Sequence, residues 1–352
     1  MERGMLGKFS SDKSLTGKKV IFVSFLEPWS LGKDTGAPSF FETLKGYCQA
    51  GAEVHYLTHE KPGTGDAAHA IQIETRLPNL TVHRFPLAGG GAVGFLPALQ
   101  GKLNRLLLFP VGAARELARL VRSVEPDLIY AYEQCAILSQ WWYTKFSKPK
   151  TPMVNRYQGT ILGARYADWL YAFRKLESFL VLKIKADAYI MTDDGTLGDR
   201  ALKYWNKSIG NQNLLFVRNG IDLSIKDLDI DRDKYLRERG LDPDDFFLFT
   251  VSRLAAWKRV DRAIQIVAKL KEQYPRLKLI VCGSGPARGD LEQLARELDV
   301  SDRVTFPGGL PRDEVAKMMH AADIFLSLYD VSNCGNPLFE AQLAWKPLVT
   351  LN

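Results

Sequence analysis

The sequence predicts an α/β protein built from two doubly wound parallel-sheet domains, and three observations predict it. Short runs rich in β-branched and aromatic residues alternate with helix-period segments along all 352 residues. Most of those runs are continuously apolar, the pattern of parallel strands covered on both faces. The chain is also longer than one ordinary core absorbs, which favours two domains.

The candidate strands, in order, are "KVIFVSF", "EVHYLT", "TVHRFP", "DLIYAY", "TPMVNRY", "DAYIMT" and "LLFVRN", then "FFLFTVS", "KLIVCG", "RVTFPG", "DIFLSL" and "PLVTLN". Between them, Val260, Ala263, Ile264 and Val267 recur at helical spacing. So do Leu291, Leu294, Ala295 and Leu298, and Val315, Met318, Met319 and Ala322. These are core stripes. The rhythm breaks across "NGIDLSIKDLDIDRDKYLRERGLDPDD", a charged stretch with little apolar content, read as the connection between domains. The expected division is 1–215, with 1–17 a mobile basic leader, and 216–352, whose sheet opens near Phe246. "KPLVTLN" reads as a fresh strand with no helix after it, so the second domain is expected to be incomplete and the chain a truncated fragment.

A net charge of +7 favours an anionic partner. The four cysteines lack a paired spacing, which points to free thiols in a reducing compartment. The five histidines form no metal-binding spacing, so no metal is expected. The start has no apolar run of signal-peptide length, and arginine and glutamate interrupt "LNRLLLFPVGAARELARLV" well short of a span. A cytoplasmic protein is expected, not an integral one.

Ligands of doubly wound sheets bind outside the carboxyl ends of strands, where helix N-termini present N–H groups. Three stretches occupy such positions. In "VSRLAAWKRVDRAI", Arg253 and Lys258 flank a short loop, two cations suited to a diphosphate, although alone they read as solvated surface charges. In "LIVCGSGP", Gly283 and Gly285 permit a tight turn and close backbone approach, but form only a fragment of the dinucleotide fingerprint. In "YDVSNCGNPLFEA", Asn336 is placed to cap a helix with Pro337 at its first position. N–H groups around Gly335, Asn336 and Leu338 would then face an anion. Glu340, in the first turn or so, would accept bonds from vicinal hydroxyls or merely complement the helix dipole.

Together "FTVSRLAAWKRVDRAI", the block from "YPRLKLIVCGSGP" to "ADIFLSL", and "GNPLFEAQLAWKPLVT" resemble glycosyltransferase family 4, the retaining GT-B enzymes also called group 1. "LLFVRNGIDL" resembles the block before that domain, and "DTGAPSFFETLKGYCQAGAEVHYLT" the glycine loop and first helix of the N-terminal domain. The resemblance is dense from Leu215 and thinner but colinear before it.

The resemblance implies two Rossmann-like domains facing a cleft. It implies retaining transfer of a sugar from a UDP- or GDP-linked donor to a glycan, lipid-linked or small-molecule acceptor, without a metal. Arg253 and Lys258 would hold the leaving diphosphate, and Glu340 would match the second glutamate of the E-x7-E motif, which holds the donor ribose. Gly285, Gly335, Asn336, Leu338 and, from the other domain, Gly36 would approach the donor. Three stretches depart from the pattern. Ser332, beside Asn333, stands where the first glutamate of E-x7-E falls, and both are retained as donor-side candidates. Gln158 in "YQGT" stands where the family often carries histidine, and "YAYEQ" (Tyr130 to Gln134) replaces a frequently histidine-bearing turn; Gln158 and Glu133 are the acceptor-side candidates. These departures signal an unusual donor sugar or weakened activity.

Two basic, partly apolar stretches bear on the partner. Lys102, Arg105, Arg115, Arg119 and Arg122 face one acid, Glu116, and "RYADWLYAFRKLESFLVLKIK" interleaves aromatics with cations. Both read as ordinary helices packed on a sheet, or as contacts with an anionic inner leaflet. No nucleic-acid-binding pattern is present. The rival functions are a non-catalytic GT-B homologue that binds nucleotide sugar or a partner, and a nicotinamide-dependent oxidoreductase.

Overall fold

The computed structural model describes residues 14–26, 38–60, 77–87, 101, 103–221, 223–331 and 334–351. The first sheet has seven strands: β1 (Lys19–Val23), β2 (Glu53–His59), β3 (Leu80–Phe85), β4 (Leu128–Tyr132), β5 (Met153–Tyr157), β6 (Ala188–Thr192) and β7 (Leu214–Val217). Their order is β3-β2-β1-β4-β5-β6-β7, and the β1–β2, β2–β3, β1–β4 and β4–β5 pairs are parallel. The helices that accompany them are α1 (Pro38–Gln49), α2 (Phe109–Val124), α3 (Gln134–Phe146), α4 (Trp169–Arg174), α5 (Leu176–Leu182) and α6 (Gly198–Trp205).

The second sheet holds β8 (Phe246–Val251), β9 (Leu277–Cys282), β10 (Val304–Gly308), β11 (Ile324–Ser327) and β12 (Leu348–Thr350), all paired in parallel in the order β10-β9-β8-β11-β12. With it run α7 (Arg232–Arg237), α8 (Val260–Leu270), α9 (Arg288–Glu297), α10 (Arg312–Ala321) and α11 (Asn336–Leu343). Every observed strand falls on a predicted run.

The reason is two-sided burial. Along β8, Leu248 packs on one face with Val260, Ile264 and Val267 of α8, while Phe247 and Phe249 pack on the other with Met318 and Met319 of α10. Burying one such side chain stabilises by about 1.5–3 kcal/mol, so neither face can carry a polar alternation. In the first sheet Ile21, Phe22 and Val23 of β1 are wholly buried, and Phe22 meets Tyr47 edge-on at 5.2 Å.

Two expectations change. The charged stretch read as a connection packs closely: Ile225, with Tyr235 and Leu236 of α7, joins the core beneath β8. Its few apolar residues are spaced to reach one face, which a low average apolar content conceals. Of the basic leader, residues 1–13 lie outside the described residues, and Leu15 donates its N–H to Ala50 O at 2.7 Å.

The chain divides into two compact units, one including Phe40–Arg156 and Ile184–Tyr189, the other Tyr157–Lys183 and Ile190–Asn352. Within each sheet the strand order reverses once, between β1 and β4 and between β8 and β11. Those reversals are where doubly wound sheets bind ligands.

Candidate active site

The loop after β8 is fixed backbone to backbone. Leu254 is fully buried; its N–H donates to Ser284 O at 2.9 Å, and its carbonyl accepts from Ala287 N–H at 3.0 Å. This approach of the β8 and β9 loops accounts for the G-x-G fragment. A Cβ on Gly283 (φ +125°) would lie 1.9 Å from Ser252 O, and one on Gly285 would lie 2.3 Å from Leu254 O. Both glycines have a packing cause that needs no dinucleotide.

Lys258 ends a 3₁₀ turn, Ala256–Lys258, in that loop. Its Nζ lies 3.8 Å from the centre of the Tyr329 ring and 4.2 Å from that of Trp257. Burial strips water from the ammonium and pulls its pKa down to about 8, a shift that the Asp194 carboxylate partly offsets. Tyr329, just past β11, is buried and donates its hydroxyl to Val251 O at 3.0 Å. Asp330 N–H donates to Trp257 O at 3.1 Å, and the Asp330 carboxylate pairs with Arg259 at 3.2 Å and Arg262 at 2.8 Å. Arg259 itself sits in the left-handed region (φ 48°), held there by Asp261 and Asp330. The loops of β8 and β11 are therefore laced together at the reversal, and Lys258 is held in the lacing. Arg253, in the same loop, is exposed. One cation is held against two rings and partly dehydrated, and the other is exposed.

Asp194 was not legible in the sequence. It follows β6, is 9% exposed, and accepts from Thr196 N–H at 3.1 Å and the Thr196 hydroxyl at 2.6 Å. Its carbonyl accepts from Cys334 N–H at 3.3 Å. Gly159 (φ +84°) comes so close that a Cβ there would lie 2.2 Å from Asp194 Oδ2. In "TDDG" nothing local separates this carboxylate from an ordinary turn residue.

At α11 the expected cap shifts by one residue. Gly335 occupies the N-cap without a side-chain bond, Asn336 is the first helical residue and Pro337 the second. Proline is tolerated there because its missing N–H is one of the helix's unpaired four. Leu338 N–H donates to Gly335 O at 3.1 Å, so that amide is already committed. Glu340, the fifth helical residue, is 9% exposed, and its neighbour Ala341 is in the core. A buried carboxylate beyond the first turn is poorly explained by the helix dipole, whose effect fades within that turn. Gly36, Ser332 and Asn333 lie outside the described residues.

On the first sheet, Glu133 (φ 81°) caps α3. Its carboxylate accepts from Cys135 N–H at 3.0 Å, Ala136 N–H at 3.1 Å and Phe25 N–H at 3.1 Å. Burial pushes its pKa up against the pull of those bonds. Glu133 thus ties the β1 and β4 loops across the reversal, while Gln158, after β5, is exposed. Among the described residues no group of three His, Cys, Asp or Glu side chains is arranged to hold a metal ion, and no helix is long and apolar enough to cross a membrane.

These loops can now be set beside known proteins. Residues 231–352 match the model of the family described as glycosyl transferases group 1. Over 98 residues the chain is 36% identical to 2-deoxystreptamine glucosyltransferase of Streptomyces kanamyceticus, covering 28% of this chain and 25% of that protein. Over 117 residues it is 28% identical to alpha-monoglucosyldiacylglycerol synthase of Streptococcus pneumoniae, covering 33% and 26%. The match thus spans about a quarter of the length of these relatives. In fold, the chain is similar to Anabaena HepE solved in complex with UDP-glucose, with a TM-score of 0.65 and 18% identity over 94% of this chain and 80% of that one. The two parallel sheets are therefore GT-B-like in fold, and residues 231–352 are similar to the glycosyl transferases group 1 family.

Proposed function

We propose that the chain transfers a sugar, with retention at the anomeric carbon, from a nucleotide-diphosphate sugar to a glycan, lipid-linked or small-molecule acceptor. In this reading residues 216–352 grip the donor and 1–215 supply the acceptor side. The observation that carries it is the seat of Lys258, a partly dehydrated ammonium held on Tyr329 and Trp257 at the reversal between β8 and β11.

A lysine held in that state binds an anion more strongly than a solvated one, because less water must be displaced. Lys258 takes the diphosphate as a point charge, and Arg253 closes on it as a bidentate fork. Glu340 accepts the ribose hydroxyls, and the amides at Gly335 and Asn336, beside Gly285, lie against the phosphates. As the glycosyl bond breaks, negative charge grows on the leaving phosphate, and these cations stabilise that charge more than the ground state. The acceptor proton passes to that phosphate, so the chain needs no strong base at the site. The UDP-glucose bound by the Anabaena neighbour favours a UDP-linked donor, with GDP the alternative. The four free cysteines favour the reducing cytoplasm as the place of reaction.

The test is a thermal-shift screen of UDP, GDP, their sugars and NAD(H). Stabilisation by a nucleoside diphosphate supports the proposal; stabilisation by NAD(H) alone overturns it.

A further inference from the structure

The helix pair α4–α5 is built inside out. Its buried residues are few and mostly modest in size, Ala172, Val181 and Leu182, each 1% exposed. Its large apolar side chains face outward instead: Trp169 is 67% exposed, Phe173 64%, Leu170 56%, and Leu176 and Leu180 close to half. An ordinary surface helix buries that stripe, as α2 does with Phe109, Ala113 and Leu117. The arrangement is fixed by local signals. Asp168 caps α4 by accepting Tyr171 N–H at 3.0 Å, and Lys175 (φ −109°, ψ 45°) breaks the helix before α5.

Cations ring this face. Residues 165–185 carry five, Arg165, Arg174, Lys175, Lys183 and Lys185, against Asp168 and Glu177. Two of them lie on aromatic rings, Arg165 over Tyr171 at 4.2 Å and Lys183 over Phe179 at 4.3 Å, and beside them Lys207 lies at 5.3 Å over Tyr204, whose ring meets Tyr166 edge-on at 5.8 Å. Asp168 is already engaged, as the cap of α4 and as the partner of Arg165 at 2.6 Å. Lysine is depleted from protein–protein interfaces. Outward tryptophan and phenylalanine ringed by lysine and arginine are instead the composition that seats a helix in a bilayer interface.

We propose that the α4–α5 face docks on an anionic bilayer surface, with Trp169, Leu170 and Phe173 entering the acyl boundary and Arg174, Lys183 and Lys207 meeting lipid phosphates. The proposal rests on this surface alone and stands whether or not the chain transfers sugar.

The experiment is co-sedimentation of the full chain with phosphatidylcholine vesicles and with mixed phosphatidylcholine–phosphatidylglycerol vesicles. The wild type is expected to bind the mixed vesicles and not the neutral ones, and to release with added salt. Trp169→Ser with Phe173→Ser should abolish binding. Arg174→Gln with Lys207→Gln should weaken it roughly fivefold for each cation removed. All four side chains are exposed, so each variant should keep the wild-type Tm. Equal binding by wild type and variants overturns the proposal. So does an absence of binding together with a dimer that the Trp169→Ser, Phe173→Ser variant converts to monomer, because a second copy would then cover the face.

Discussion

The Lys258 ammonium lies 3.8 Å from the centre of the Tyr329 ring, and this contact joins the carboxyl end of β8 to that of β11. A solvated lysine would gain little from such a contact. A dehydrated one gains about 2 kcal/mol from the ring face.

The first prediction concerns pH. Without ligand, Lys258 loses its proton as pH rises through about 8, below the ordinary lysine value of 10.5. UDP affinity should therefore fall as pH rises through that region, and binding above it should draw a proton onto Lys258. Calorimetry in buffers of different ionisation enthalpy measures that proton. Lys258→Arg should remove both effects. For stability the sign is reversed. The protonated ammonium opposes folding below about 8, and the penalty is relieved as pH climbs toward 10.5.

Asp194 should set where that transition falls. Its charge holds the Lys258 pKa up, so Asp194→Asn, which keeps an oxygen for Thr196, should move the break in UDP affinity to lower pH. A pH titration of affinity in which the variant overlays the wild type would remove Asp194 from the site.

Tyr329 separates packing from charge. Tyr329→Phe keeps the ring and loses the bond to Val251 O, so it should lower stability by about 1 kcal/mol and leave donor KM nearly unchanged. Tyr329→Leu should also raise donor KM, because the ammonium loses its ring face. Denaturant melts and initial rates of the two variants give the comparison.

The glycines of "CGSGP" should prove structural. Gly283→Ala forces a Cβ against Ser252 O at a left-handed backbone, and should cost more than about 1–3 kcal/mol. Gly285→Ala, against Leu254 O, should cost a similar amount and displace the loop that carries Arg253. Chemical denaturation measures both.

What the sequence disclosed depends on whether the cause was local. The β8 run was legible because burial on both faces leaves no polar positions in it, and the α8 stripe because Val260, Ala263, Ile264 and Val267 all reach one core. Lys258 was legible as a cation at a strand end, but its dehydration depends on Tyr329, which another strand delivers. Asp194 was missed for the same reason: its burial is made by Gly159 and Cys334, remote in the chain. Glu133 was read as an acceptor-side group, while the structure engages its carboxylate with three amides. The outward face of α4–α5 was the hardest to see. Its periodicity fits a packed helix, and only the structure says which side is covered.

The most direct test of the central claim is nucleoside diphosphate release from a UDP- or GDP-sugar by the wild type and by Lys258→Ala, alongside UDP affinity for both. If Lys258 stabilises the departing diphosphate, the variant should lose about 10²-fold in kcat while losing much less in affinity. Unchanged turnover in Lys258→Ala, or a loss confined to binding, would contradict it.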